Sequence, residues 1–160
     1  MRAIRSASTV LARFLLSAIF LAGGVHQVFH WHESETFLLS VVCDWQTHLS
    51  FSPQAQECAT FLAPWTPLLL LLATLFKLIG GLLLLLWVKE KIGAGLLVAF
   101  LIPTTILFHA FWFLEGPAQE LQQVMFLKNL AIVGGLLMVL LNGASTSAKN
   151  VGFSKDSFKF

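Results

Sequence analysis

The stretch "LLLLLATLFKLIGGLLLLLWV", residues 68–88, is almost entirely apolar and decides the fold of this 160-residue chain. An α-helix needs about 20 mostly apolar residues to cross a bilayer, and this stretch has that length. A membrane β-barrel would need strands in which apolar and polar residues alternate, whereas these side chains are apolar in every direction. The stretch therefore predicts a transmembrane helix, with Lys77 near its middle.

Three other runs have the same character, so the predicted spans are residues 10–29, 67–88, 92–114 and 124–141. Charged residues make up 11% of the chain and the mean hydropathy is +0.81, which leaves too little polar surface for a water-soluble globule. We predict an all-α integral membrane protein: a four-transmembrane-helix bundle in a single domain at 1–145, followed by a flexible cytoplasmic tail at 146–160.

The distribution of charge predicts the orientation. Outside the spans, lysine and arginine occur before the first span, in the short turn after the second, and in the C-terminal tail. The connections at 30–63 and 115–123 contain acidic residues but neither lysine nor arginine. The positive-inside rule therefore places both termini in the cytoplasm, in a multi-pass N-in/C-in topology. The alternative is that the first span is a cleaved signal peptide, which would leave three spans.

The outer loop at 30–63 is long enough to have structure of its own. Its segment "ETFLLSVVCDWQTHL", residues 35–49, places apolar residues on one helical stripe, which predicts a short amphipathic helix on the membrane surface or over the bundle. Cys43 and Cys58 both lie in this loop, and the extracytoplasmic compartment favours a structural disulfide between them. A redox-active pair and two reduced thiols are the alternatives.

Ionisable residues inside the spans need a partner, an escape to the interface or a function. Arg13 is close enough to the cytoplasmic end to act as an interfacial anchor. Lys77 is close to the midplane, and no predicted span contains an acidic residue. Its expected partners are helix carbonyls, a threonine, water, or an anionic or quinone-like ligand. The double glycines at 80–81 and 134–135 predict close helix packing.

The outer half of the bundle holds a denser group of polar residues. His26 lies near the end of the first span, His109 and Trp112 near the end of the third, and Lys128 and Asn129 early in the fourth. If the spans form an antiparallel bundle, these groups converge on a polar pocket beneath the outer loop. The alternative is snorkelling and an aromatic belt at the interface. No metal site is predicted, because a nearby lysine repels a cation.

The sequence resembles a known family across residues 10–141. The resemblance is carried by "LARFLLSAIFLAGG" (11–24), "KLIGGLLLLL" (77–86) and "IPTTILFHAFWFLEGPAQELQQVMFLKNLAIVGGLLMVL" (102–140). These segments look like the DoxX family of small four-span membrane proteins. The most specific positions are Pro103, His109, Trp112, Phe126, Lys128, Asn129, Gly134 and Gly135. The resemblance implies a location in the bacterial inner (cytoplasmic) membrane and association with oxidoreductase assemblies, some of them quinone-linked.

The chain departs from the family pattern at two positions. Many members have a lysine just after the glycine that ends the first helix, where this chain has His26 and Gln27. Many also have a glutamate before the glycines of the second helix, where this chain has Lys77. The charges available inside the bundle therefore differ from those of many relatives.

Our first functional hypothesis is a redox-associated membrane protein whose outer-half pocket binds a quinone head group. His109 would relay a proton, Lys128 would stabilise negative charge, and Asn129 would orient the ring. The predicted site comprises His109 and Lys128 as catalytic groups and Phe108, Trp112, Asn129, Lys77 and His26 as ligand contacts. The sequence has no haem or flavin motif, so the cofactor stays unknown, and any catalysis is that of a quinone-linked oxidoreductase subunit with a partner.

Two other functions fit the sequence. A non-catalytic scaffold or adaptor would dock another protein through the acidic outer loop. A transporter of a small solute is the third hypothesis, although the chain is short for that class. The expected partners are the lipid bilayer and another membrane or extracytoplasmic protein. A homo-oligomer is compatible with the sequence, and no nucleic-acid partner is expected.

Overall fold

The computed structural model describes residues 2–49, 53, 57, 61 and 63–142. Its α-helices are α1 (Arg2–Phe29), α2 (Trp31–His48), α3 (Thr66–Leu85), α4 (Glu90–Phe108) and α5 (Gly116–Asn142). Short 3-10 turns at Ala63–Trp65 and Phe111–Phe113 precede α3 and α5. The tail predicted at 146–160 lies outside the described residues.

Four segments of the described chain are long and apolar enough to cross a membrane: Ser8–Phe29, Ala63–Leu85, Glu90–Phe113 and Gly116–Leu141. They confirm the predicted all-α, four-span membrane fold. Large apolar side chains such as Phe14, Leu15 and Leu127 are exposed on the outside of the bundle. This is the surface expected of helices that contact lipid, because hydrocarbon does not penalise exposed apolar groups.

Successive spans pack against each other, α1 on α3, α3 on α4 and α4 on α5. Their shared core lies in the half of the bundle that contains the short α3–α4 turn. Phe20, Leu84, Leu97 and Leu136 are buried there, one from each of the four spans. We call this the inner half, and we call the half beside α2 the outer half.

The helices α3 and α4 approach most closely at two glycines of the inner half. A Cβ atom added at Gly93 would lie 2.9 Å from the backbone oxygen of Gly80, and one added at Gly80 would lie 2.8 Å from Leu97 Cγ. Such distances leave no room for a methyl group, so the two helix backbones are nearly in contact here. On α5, a Cβ at Gly134 would meet nothing within 4 Å. The double glycine at 80–81 therefore lies in a close helix contact at Gly80, whereas Gly134 of the double glycine at 134–135 does not.

Arg13 is paired rather than free at the inner end. Its guanidinium forms an ion pair with Glu90, the first residue of α4, and lies over the Trp87 ring with 4.1 Å between Cζ and the ring centroid. The two charged side chains are only 11% and 16% exposed. Trp87 and Lys89 have positive φ angles of 61° and 46°, so the turn between α3 and α4 passes through the left-handed region. The ion pair joins the end of this turn to α1.

Helix α2 occupies the stretch for which a short amphipathic helix was predicted. A single residue, His30, separates it from α1, and it buries Leu38 and Val42. The indole Nε1 of Trp45 donates a hydrogen bond of 2.8 Å to the carbonyl oxygen of Leu107. The Phe37 ring stacks on Phe108 with 5.5 Å between the ring centroids. These contacts hold α2 against the C-terminal end of α4.

Two helix boundaries do not coincide with the predicted spans. The third apolar segment runs to Phe113, in agreement with the span predicted to end near residue 114, but α4 itself ends at Phe108, and α5 begins at Gly116, before the predicted start of the fourth span at 124. Two features explain the shift: the Trp45 side chain binds a carbonyl of the last turn of α4, and Pro117 suits the first turn of a helix. Apolar content could not reveal either boundary, because residues 110–114 are as apolar as α4 itself and residues 116–123, the first part of α5, are much less apolar.

Candidate functional site

A cavity of about 610 Å³ lies in the outer half of the bundle. Its walls come mainly from α3 and α4, with Phe37 and Leu38 from α2, Gln27 from α1, and Gln122 and Asn129 from α5. This volume is within the range of about 300–1,000 Å³ that is typical of small-molecule sites. The lining is largely apolar and includes four phenylalanines, Phe37, Phe76, Phe100 and Phe108.

The position of the cavity follows from the glycine contact between α3 and α4. Lys77 precedes Gly80 by three residues and Phe100 follows Leu97 by three, so both lie about one helical turn beyond the contact. On the opposite side of the cavity, α2 contributes Phe37 and Leu38. The cavity therefore begins where the close packing of α3 and α4 ends, and α2 covers it.

Lys77 is the strongest polar feature of the cavity. Its ammonium group donates a hydrogen bond to Gln27 Oε1 and lies 5.3 Å from the centroid of the Phe100 ring. Gln27 is buried at 7% exposure, and Lys77 is half-buried. An ammonium group has three N–H donors, and a single amide oxygen accepts one of them. Lys77 thus retains donors for a ligand while its ammonium group contacts Gln27 on α1 and Phe100 on α4.

His109 forms a second polar contact in the lining. Its Nδ1 donates a hydrogen bond of 2.7 Å to Gln122 Oε1 on α5. With Nδ1 carrying the proton, the Nε2 atom of a neutral imidazole is an acceptor. His109 follows the last residue of α4, where the chain leaves the helix, and Gln122 fixes its ring. The cavity therefore offers a donor at Lys77 and an acceptor at His109.

No carboxylate is found among the residues that the structure describes in the cavity wall. The polar lining residues are Gln27, Lys77, Thr104, His109, Gln122 and Asn129. The Thr104 hydroxyl donates to the Phe100 carbonyl oxygen at 2.8 Å, so it satisfies its own helix. Lys77 therefore has neutral neighbours in a mostly apolar wall.

Four of the residues predicted for the site line the cavity: Lys77, Phe108, His109 and Asn129. Lys128 does not, because it is exposed and its ammonium group contacts Met125 Sδ at 3.1 Å. Neighbouring residues on a helix point about 100° apart, and the rotation of α5 turns Asn129 toward the cavity and Lys128 away from it. The expected convergence of Lys128 with His109 is therefore not found.

Two further predicted contacts also lie away from the cavity. Trp112 is 44% exposed and packs edge-on against Trp45 and Phe126, in an aromatic cluster beside the 3-10 turn. His26 is exposed, and its ring stacks on His30 with 4.1 Å between centroids. The next residue of α1, Gln27, faces the cavity instead. The rotation of α1 about its axis therefore places Gln27, and not the predicted His26, in the cavity wall.

The sequence pointed weakly to Gln27 and not at all to Gln122 as partners. In the sequence, Gln27 is marked only by the resemblance described above, as a position at which the chain departs from the family pattern. Gln122 fell in a predicted loop, yet α5 starts early enough to include it, seven residues before Asn129 and on the same helical face. The seven-residue spacing between the side-chain amides of Gln122 and Asn129 is the sequence signal that would have identified Gln122.

The predicted disulfide cannot be placed, since Cys58 lies outside the described residues. Cys43 is exposed on α2. Within the described residues, no group of three or more His, Cys, Asp or Glu side chains is arranged to hold a metal ion.

Comparison with known families gives one match. The DoxX family model matches residues 8–110, which include α1, α2, α3 and α4. The match covers Gln27, Lys77 and His109, and it ends before α5. No curated protein and no solved structure matches the chain.

Proposed function

Because the chain belongs to the DoxX family, we propose that it is the quinone-binding subunit of a membrane redox system. The observation that carries this proposal is the Lys77 ammonium group, which faces an aromatic cavity with neutral neighbours. A quinone head group is planar and apolar and has carbonyl acceptors at its edges. Such a ring matches a site with phenylalanine walls and a lysine donor.

In this proposal, Lys77 donates a hydrogen bond to one quinone carbonyl. Negative charge develops on that oxygen as electrons arrive, so a fixed cation stabilises the reduced form more than the oxidised form. Gln27 limits the freedom of the ammonium group by accepting one of its hydrogen bonds. The role that the sequence suggested for Lys128 is therefore assigned to Lys77.

His109 handles the proton in this proposal. Its Nε2 accepts a hydrogen bond from a quinol hydroxyl, and the Gln122 contact at Nδ1 keeps the imidazole in the matching tautomer. Phe108 and Phe100 provide faces for the ring, and Asn129 provides an additional polar contact. These residues bind and orient the head group, while a partner protein supplies or removes the electrons.

The proposed location is the bacterial inner membrane, with both termini in the cytoplasm. The outer half of the bundle then faces the extracytoplasmic side. A redox partner on that side would approach the surface formed by α2, where Glu33 and Asp44 are exposed. The same exposed acidic side chains favour the alternative function, an adaptor that docks a partner without binding a small molecule.

The experiment is to purify the full-length protein in mild detergent and to quantify bound quinone by solvent extraction and mass spectrometry. The Lys77→Met variant tests the site, and Lys128→Met is the matched control, since both remove one lysine from a span. We expect quinone to be retained by the wild type and by Lys128→Met but lost from Lys77→Met. Equal retention in both variants, or no binding after quinone is added back, would contradict the proposal and favour the adaptor.

A further inference from the structure

We infer that the cavity also takes a single-chain amphiphile with an anionic head group, such as a long-chain carboxylate. The head group lies at Lys77, and the chain leaves the bundle between the outer halves of α3 and α4. This inference concerns the same cavity as the proposed function but does not depend on the quinone.

The first support is the charge of the cavity. The residues in contact with the Lys77 ammonium group are an amide and a phenyl ring, and neither carries a net negative charge. Within the part of the chain that the structure describes, the cavity lining contains no aspartate or glutamate. Arg13, by contrast, is paired with Glu90 at the inner end. An anion at Lys77 would provide the counter-charge that the protein does not supply there.

The second support is the opening of the cavity toward the membrane. Leu69 and Leu72 on α3 and Ala99 and Pro103 on α4 line the cavity and are also exposed on the bundle surface. Phe37 on α2 meets both conditions as well, so these residues form a rim that extends from α2 to the gap between α3 and α4. This rim is apolar and lies within the predicted bilayer, so it suits a hydrocarbon chain and not a water-soluble anion.

The third support is the distance between the head-group contact and the rim along the helices. Lys77 follows Leu72 by five residues on α3, or about 7.5 Å of helix rise. The wall between them includes Ala73 and Phe76, which are apolar. A ligand whose charge is at Lys77 must therefore place apolar groups along this wall. A linear amphiphile meets that requirement, because its head group contacts Lys77 and its hydrocarbon chain lies along the apolar wall.

The test compares dodecanoate with dodecanol, which share a chain but differ in charge. The full-length protein is reconstituted in nanodiscs of zwitterionic lipid, and saturable binding of labelled dodecanoate is measured with dodecanol as competitor. We expect dodecanoate to bind at least about tenfold more tightly than dodecanol, a difference that is readily measured. Equal affinities, or no saturable dodecanoate binding, would overturn the inference.

Two variants connect the preference to Lys77. Gln27→Glu keeps the lysine but places a carboxylate beside it, so the protein compensates its own charge and the preference for dodecanoate is lost. Lys77→Met removes the cation with the same result, whereas Lys128→Met retains the preference. An unchanged preference in Gln27→Glu and Lys77→Met would show that the anion binds elsewhere and would overturn the inference.

Quinone retention, measured on the same preparations, separates the two ideas. Quinone retained by the wild type without dodecanoate binding would leave the proposed function standing and reject this inference. If dodecanoate binding requires Lys77 and the protein takes up no quinone, the result would support this inference and reject the proposed quinone-binding function.

Discussion

Lys77 on α3 donates a hydrogen bond to Gln27 on α1, and this contact joins two helices at the inner edge of the cavity. The partner of the lysine is a neutral amide, and the cavity wall in the described part of the chain contains no aspartate or glutamate. The cavity therefore contains a cation that its neighbours do not neutralise.

The packing of α3 on α4 predicts that Gly93→Ala destabilises the bundle. The added Cβ would lie 2.9 Å from the Gly80 backbone oxygen, which cannot move without displacing α3. We expect a loss of about 1–3 kcal/mol in the free energy of unfolding, measured by denaturant titration in detergent. Gly134→Ala is the control, because its Cβ meets nothing within 4 Å and alanine favours the helix. Equal losses in both variants would contradict the close contact at Gly93.

The ion pair at the inner end predicts that Glu90→Gln costs stability. The change leaves the Arg13 guanidinium, 11% exposed, without its charged partner. We expect a loss of about 1.5–3 kcal/mol, the range for hydrogen bonds that involve charged groups. The double variant Arg13→Met, Glu90→Met should recover part of that loss, because no unpaired charge remains. A double variant less stable than Glu90→Gln would argue against this explanation.

The contact between α2 and α4 predicts that Trp45→Phe loosens α2. Phenylalanine replaces the indole with a smaller aromatic ring and removes the N–H group that donates to the Leu107 carbonyl oxygen. We expect faster hydrogen–deuterium exchange at the backbone amides of α2, consistent with the loss of about 1 kcal/mol from a neutral hydrogen bond. The matched control is Trp65→Phe, which makes the same substitution at an exposed tryptophan. Unchanged exchange in α2 would show that its other contacts are sufficient to hold it.

The proposed role of His109 predicts that His109→Ala weakens quinone retention. The variant removes the acceptor atom and leaves Gln122 without its partner in the cavity wall. We expect about a tenfold or greater loss of bound quinone, equivalent to the loss of roughly one good hydrogen bond. His26→Ala should retain quinone, since His26 is exposed and stacks on His30 away from the cavity. Similar losses in the two variants would point to a general effect on folding.

The predicted orientation can be tested at Cys43, which is exposed on α2. In a Cys58→Ser variant, Cys43 cannot pair with Cys58. We expect a membrane-impermeant maleimide to label it in cells whose inner membrane is intact. The control is Lys91→Cys in a background without the two native cysteines, which should react only after that membrane is permeabilised. The opposite pattern would reverse the N-in/C-in topology.

The sequence by itself determined the class of fold, because a span is a property of local composition. Residues 68–88 are long and apolar enough to cross a bilayer, whatever surrounds them. The same reasoning identified the other spans and marked Lys77 and His109 as unusual residues within them. The resemblance to DoxX proteins also followed from the sequence, since the residues that carry it stand at fixed offsets along the chain.

Tertiary structure decided which of those residues share a site. The choice between His26 and Gln27, or between Lys128 and Asn129, depends on the rotation of a helix about its axis, and each helix is apolar on nearly every side. Contacts with neighbouring helices set that rotation, and the pairs Lys77–Gln27 and His109–Gln122 join residues far apart along the chain or on separate helices. Local composition fixes what enters the membrane, whereas helix packing fixes which side chains face the cavity.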